Sequence, residues 1–160
     1  MTSLTLTTPS DREILITREF NAPRALVFDC MSRPELVRLW LLGPPGWSMP
    51  VCEIDLRVGG RYRYVWRNDA HGTEMGMGGV YREILAPEKV VQTELFDQDW
   101  TGGETVGTSI LTEKSGKTTM NLTVLYSSKE ARDGALRTPM ADGMNAGYDR
   151  LDGVLTAIQS

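Results

Sequence analysis

The sequence predicts an α+β domain in which one curved antiparallel sheet is covered by a single long helix. Strand-like segments follow one another closely from Met49 to Tyr126, and neighbours so close in the chain pair antiparallel. After them, apolar residues recur at steps of three and four, which is typical of an amphipathic helix. An antiparallel sheet has one face to cover, and the long helix can cover it.

Length and composition fit one globular domain, with 160 residues, 41% of them hydrophobic and 24% charged. We expect residues 1–12 to be a flexible leader and residues 13–160 to form the domain. The net charge of −4 argues against nucleic acid and anionic membranes as partners. The sequence has neither a membrane span nor a signal peptide, so we predict a cytoplasmic protein with Cys30 and Cys52 reduced.

The first strand is predicted over Ile14–Phe20, and two short helices should follow it. Asn21 is a candidate N-cap for the first helix, and Pro23 suits its first turn. Ser32 and Pro34 favour the start of the second helix.

Six further strands complete a predicted sheet of seven. Turn-forming residues bound each of them, and Ser115-Gly116 and Asn68–Gly72 mark two of the hairpins. These strands are Val51–Leu56, Arg61–Arg67, Met75–Leu85, Lys89–Phe96, Val106–Glu113 and Thr118–Tyr126.

The end of the chain is predicted to be helical. Ser127–Glu130 fits a capping box, and Thr138-Pro139 predicts that the helix kinks or restarts. The apolar stripe of the long helix that follows consists of Leu136, Met140, Met144, Tyr148, Leu151, Leu155 and Ile158.

Four segments carry a resemblance to a known family: APRALVFDCMSRPELVRLW, GPPGWSMPVCEIDLRVGGRYRYVWR, GTEMGMGGVYREILAPEKVVQTELF and MADGMNAGYDRLDGVL. Together with the element order, over residues 13–158, they resemble the bacterial Hsp90-ATPase-activator-homologue-1-like proteins. These belong to the START-like (SRPBCC) helix-grip superfamily, which also holds polyketide cyclases and the Bet v 1 pollen allergens. The resemblance implies a curved seven-stranded antiparallel sheet wrapped around the C-terminal helix. It also implies a cavity between them, which in the superfamily usually holds hydrophobic ligands.

Aromatic side chains alternate along one predicted strand. Tyr62, Tyr64 and Trp66 therefore share one face of it, either as a cavity wall or as core beneath the long helix. The opposite face is predicted to be a solvated surface formed by Arg61, Arg63 and Arg67.

The predicted ligand-binding side chains are aromatic or apolar and come from loops, sheet and closing helix. The loop tryptophans could ring a pocket mouth or cap the edge of the core. The methionines could form an adaptable cavity or serve as core filler. The full set is Trp40, Trp47, Tyr62, Tyr64, Trp66, Met77, Leu95, Trp100, Met140, Met144 and Tyr148.

Residues for metal binding or nucleophilic catalysis are scarce in this sequence. His71 is the only histidine, and no Gly-x-Ser-x-Gly elbow occurs, so we predict no catalytic residue, no metal and no cofactor. A carboxylate inside an apolar cavity would have a raised pKa and could act as acid or base. We expect the strand acids to be structural or solvated instead, namely Glu53, Asp55, Glu74, Glu94 and Glu104.

The function favoured by these patterns is non-covalent binding of a hydrophobic or aromatic small molecule in an internal cavity. One alternative is a cavity-based enzyme, such as a polyketide cyclase, aromatase or hydrolase-like protein. Another is a stress-linked co-chaperone module. The eukaryotic co-chaperone resembles this chain only in its C-terminal domain, so we do not expect an Hsp90-type partner. A homodimer remains open.

Overall fold

The computed structural model describes residues 3–43 and 45–160. Its strands are β1 (Thr5–Thr7), β2 (Glu13–Phe20), β3 (Trp47–Ile54), β4 (Arg61–Asn68), β5 (Glu74–Leu85), β6 (Lys89–Phe96), β7 (Thr105–Lys114) and β8 (Lys117–Leu125). Its helices are α1 (Arg24–Ser32), α2 (Pro34–Val37), α3 (Lys129–Leu136) and α4 (Met140–Gln159). Pro44, in the Gly-Pro-Pro-Gly segment for which the sequence predicts a turn, and the first two residues of the leader lie outside the described residues. Among the described helices, none is long and apolar enough to cross a bilayer.

The strands form one antiparallel sheet in the order β1-β2-β8-β7-β6-β5-β4-β3. From β3 to β8 each strand pairs with the next in sequence, and β2 then pairs with β8 over its full length. The two short helices lie on the crossover from β2 to β3. The α+β prediction is confirmed, with eight strands in place of seven.

The additional strand comes from the predicted leader. Thr5, Leu6 and Thr7 pair with β2, so this part of residues 1–12 is not a free leader. Leu6 also packs against the core, and backbone pairing along the edge of β2 gives the segment a place in the sheet. Three residues, two of them threonine, are too short a pattern to be recognised as a strand from sequence.

Two of the predicted helix boundaries differ in detail from the structure. Asn21 is exposed and does not cap α1, whose N-cap position is Pro23. The N-cap of α3 is Ser128 and not Ser127, which begins the predicted capping box; the Ser128 hydroxyl accepts a hydrogen bond of 3.0 Å from the Ala131 N–H. The predicted break before the long helix is present, with Pro139 immediately preceding α4.

The core lies between the sheet and the helices. On α4 the buried side chains are Tyr148, Leu151 and Leu155, while Leu136 and Ile158, at the two ends of the predicted stripe, are exposed. Between them, Met140 and Met144 are only half-buried. The C-terminal half of α4 is therefore tightly packed, whereas its N-terminal half borders open space.

A buried arginine holds α4 to the sheet. The Arg18 side chain on β2 is fully buried, and its Nη2 donates to Asp149 and Asp152 of α4, each at 2.8 Å. Its guanidinium also lies over the rings of Phe20 and Tyr148, 5.1 and 5.8 Å from their centroids. The register of the long helix on the sheet is thus fixed by charge as well as by packing.

Candidate functional site

A cavity of about 530 Å³ lies between the inner face of the sheet and α4. Its volume falls within the roughly 300–1,000 Å³ range of small-molecule sites. Trp100 and Leu56 line it while keeping 40% and 38% of their surface exposed, so the cavity opens to solvent near them.

Alternate residues of the central strands form one wall of the cavity. On β6, Gln92, Glu94 and Phe96 face inward, because side chains alternate between the two faces of a strand. The neighbouring strands contribute Tyr64, Trp66, Met75, Met77, Tyr81, Thr105, Gly107, Ser109, Leu111, Met120, Leu122 and Val124.

The helices and the loop after α2 form the opposite wall. Phe28 and Met31 come from α1, and Trp40 follows α2. From α4 come Met140, Gly143, Met144, Gly147 and Tyr148.

Nine of the eleven predicted ligand-binding residues line this cavity, and Tyr62 and Leu95 do not. Leu95 is 45% exposed, because the inward position of Glu94 and Phe96 turns it to the outer face of β6. The nine that come together are Trp40, Trp47, Tyr64, Trp66, Met77, Trp100, Met140, Met144 and Tyr148.

Tyr62 is instead buried within the curl of the sheet. It pairs with Gly79, and its hydroxyl donates to the Thr93 carbonyl at 2.6 Å. A Cβ on Gly79 would lie 1.8 Å from that same carbonyl oxygen, so the missing side chain lets β6 come close. The strand curvature thus removes Tyr62 from the cavity wall.

Two of the tryptophan N–H groups are already bonded to the backbone. Trp40 Nε1 donates to the Cys30 carbonyl and Trp66 Nε1 to the Leu41 carbonyl, each at 2.8 Å. These two rings therefore turn apolar surface toward the cavity, and their N–H groups are not available to orient a ligand.

Sequence reasoning missed several lining residues, among them Phe28, Met31, Gln92, Phe96 and Tyr126. On β6, the alternation of Gln92, Glu94 and Phe96 indicates that these three side chains share one face. The prediction instead includes Leu95, which lies on the opposite face. The residues of α1 could not be assigned to the cavity wall, because the sequence does not indicate which face of this helix borders the cavity.

Glu94 is the main departure from expectation among the carboxylates. It pairs with Thr105 across β6 and β7, and it lines the cavity. A methyl group on Gly107 would lie 2.8 Å from its Oε1 atom, so the carboxylate occupies the space that a side chain at Gly107 would fill. Burial raises the pKa of Glu94 to about 7, and a hydrogen bond from Thr105 opposes that rise.

The other acids and the histidine are consistent with a surface role. His71 is exposed in the turn between β4 and β5. In residues 3–43 and 45–160 no group of three or more His, Cys, Asp or Glu side chains is arranged to hold a metal ion. The other four strand acids singled out from the sequence are all exposed, namely Glu53, Asp55, Glu74 and Glu104.

Solved structures share this architecture. A Rhodobacter sphaeroides protein is 30% identical with a TM-score of 0.92, covering 97% of this chain and 99% of its own. A Mycobacterium smegmatis protein is 23% identical with a TM-score of 0.83, covering 96% and 98%. An AHSA1-like protein from Aeromonas hydrophila is 14% identical with a TM-score of 0.65, covering 88% and 93%. No curated protein matches the sequence.

A curved antiparallel sheet closed over a long C-terminal helix defines a helix-grip domain of the START-like class. The family model for activator of Hsp90 ATPase homolog 1-like proteins matches residues 21–156. The chain belongs to this family.

Proposed function

We propose that this protein binds a hydrophobic or aromatic small molecule non-covalently in the cavity between the sheet and α4. The observation that carries the proposal is the cavity itself, about 530 Å³ with a wall that includes ten aromatic and six methionine side chains. Transfer of an apolar ligand from water into such a site is favourable, because apolar surface leaves water.

The character of the wall supports a ligand of adaptable shape. Six methionines line the cavity, and their flexible, polarisable side chains adjust to different outlines. The tryptophans that could have demanded a polar partner, Trp40 and Trp66, have their N–H groups satisfied by the backbone. Over most of the wall, recognition therefore rests on shape and apolar contact, and Glu94 is the polar exception.

Two measurements test the proposal. Native mass spectrometry of freshly purified protein should reveal a co-purifying small molecule. Titration with N-phenylnaphthylamine, an uncharged fluorescent probe, should give a dissociation constant of about micromolar order. The matched variants are Phe96→Ala, which alters the cavity wall, and Leu95→Ala, which alters the outer face of the same strand.

The expected result is a several-fold change in probe affinity for Phe96→Ala and none for Leu95→Ala. Absence of saturable probe binding would contradict the proposal. Binding that responds to Leu95→Ala but not to Phe96→Ala would place the probe outside the cavity and would contradict it too.

One observation favours a second candidate, a cavity enzyme of the cyclase, aromatase or hydrolase-like kind. Glu94 lines the cavity, and its pKa of about 7 suits a general acid or base at neutral pH. Incubating the co-purifying molecule, or related aromatic compounds, with wild-type and Glu94→Gln protein separates the two. A product formed only by the wild type would favour the enzyme, and unchanged compound would favour simple binding.

A further inference from the structure

The cavity contains one carboxylate that the fold does not match with a positive charge. The charged residues lining it, among those the structure describes, are Glu88, Lys89 and Glu94. Glu88 lies 3.6 Å from Arg24 Nη1, and Lys89 lies 3.3 Å from a carboxylate oxygen of Glu83. Glu94 has no such partner within the described part of the chain, and its surroundings are apolar or neutral.

The groups around Glu94 are hydroxyls and aromatic rings. Thr105 on β7 faces it across the strand pair. Burial raises the pKa values of four tyrosines on β4, after β8 and on α4, and the charge of Glu94 raises them further. These are Tyr62, Tyr64, Tyr126 and Tyr148, all of which stay neutral at physiological pH.

The buried arginine that joins β2 to α4 is bound to other groups. Arg18 lies over the Tyr148 ring and is bound by Asp149 and Asp152, and it is not among the groups that shift the pKa of Glu94. A molecule that enters the cavity could supply the positive charge that complements the ionised form of Glu94.

We propose that the preferred ligand is a hydrophobic amine, whose protonated nitrogen binds the Glu94 carboxylate while its apolar body packs among the aromatic rings. This inference rests on the proposed binding function and names its ligand class. Ammonium–carboxylate hydrogen bonds are charge-assisted, and aromatic faces attract cations. An anionic ligand would meet a like charge in an apolar site, which disfavours it.

A neutral donor is a weaker match for the same position. An alcohol can donate a hydrogen bond to Glu94, yet it leaves the buried negative charge uncompensated. For compounds of one size, the expected order of affinity is therefore amine, then alcohol, then hydrocarbon.

The experiment compares naphthylethylamine, naphthylethanol and ethylnaphthalene by isothermal titration calorimetry at about pH 8, where Glu94 is ionised. The proteins are the wild type, Glu94→Gln and the control Glu104→Gln, which makes the same charge change at an exposed position on the opposite surface. Wild type and Glu104→Gln should bind the amine about tenfold or more tightly than ethylnaphthalene. Glu94→Gln should lose that preference.

A second measurement does not depend on the variant folding. In the wild type, the preference for the amine should decline at about pH 5.5, because Glu94 is then protonated whereas the amine keeps its charge. Equal binding of all three compounds by the wild type at about pH 8 would overturn the amine assignment and leave apolar binding intact. An amine preference that persists in Glu94→Gln would overturn it as well. Failure of all three compounds to bind would contradict both proposals.

Discussion

The carboxylate of Glu94 occupies the space above Gly107 on the neighbouring strand. A Cβ at Gly107 would lie 2.8 Å from Oε1 of Glu94, closer than real Cβ atoms approach other heavy atoms. Because Gly107 has no side chain, the Glu94 carboxylate can occupy this part of the cavity.

Gly107→Ala should therefore move the Glu94 carboxylate while leaving the fold in place. The neighbouring atom is the far end of a flexible side chain, so we expect a stability change within about 1 kcal/mol. The preference for an amine over its hydrocarbon counterpart should fall several-fold. Calorimetric titration and urea unfolding measure the two effects.

Gly153→Ala is the control for this substitution. Its methyl group would meet no atom within 4 Å on an exposed face of α4. It should stabilise the protein by about 1 kcal/mol through helix propensity and leave ligand selectivity unchanged. An undiminished amine preference in Gly107→Ala would show that this glycine does not position the carboxylate.

The pKa of Glu94 predicts a pH-dependent effect on stability. Its folded-state pKa is raised from 4.5 to about 7, so the folded protein holds this proton more tightly than the unfolded chain does. The stability that Glu94 contributes is fully present below about pH 4.5 and is lost as the pH rises through about 7. Glu94→Gln removes the charge, so it should raise the free energy of unfolding more at about pH 8 than at about pH 5.

Urea unfolding at the two pH values measures this difference. Glu104→Gln is the reference for the same chemical change at an exposed site and should show no comparable dependence on pH. If the effect of Glu94→Gln were equal at both pH values, the carboxyl group would be as well solvated in the folded state as in the unfolded chain.

Two positions on α4 should respond differently to truncation. Leu151 is fully buried, so Leu151→Ala should cost about 2–5 kcal/mol. Met144 is half-buried and lines the cavity, so Met144→Ala enlarges a space that already exists and should cost less. It should also shift ligand preference toward bulkier compounds. Denaturant unfolding measures the two stability changes, and a size series of apolar ligands measures the preference. If Met144→Ala were the more destabilising substitution and left ligand preference unchanged, Met144 would be ordinary core.

The ion pairs of Arg18 should show strong coupling between their two carboxylates. Asp149→Asn or Asp152→Asn alone leaves the other ion pair of 2.8 Å in place, so each should cost about 1 kcal/mol or less. The double substitution removes both pairs from a fully buried guanidinium and should cost about 3 kcal/mol or more. A double-mutant cycle that proved additive would contradict this shared role.

Most of the fold could be predicted from the sequence because its signals are local and repeated. Strand alternation, turn residues and the helical stripe from Met140 to Leu155 identified every long element. The short strand β1 could not be recognised in this way. It exists because its backbone pairs with β2, an interaction between chain segments that leaves little trace in three residues of sequence.

The cavity wall was harder to predict because it depends on which way each strand faces. Tyr64 and Trp66 could be placed from alternation, but Tyr62 on the same face is drawn away by the approach of β6 at Gly79. Leu95 is among the predicted ligand-binding residues, yet it is its neighbour Glu94 that faces the cavity. The polarity of Glu94 predicts a solvated or structural position, because a carboxylate inside an apolar cavity is contrary to the usual pattern of burial.

The most direct test of ligand binding in the cavity uses the methionine methyl groups as reporters. Of the eight methionines, Met31, Met75, Met77, Met120, Met140 and Met144 line the cavity, whereas Met49 on β3 is buried and does not line it. In protein labelled with carbon-13 at the methionine methyls, titration with ethylnaphthalene should shift the cavity resonances saturably and leave that of Met49 in place. Unchanged cavity resonances at saturating ligand, or shifts no larger than that of Met49, would contradict the account.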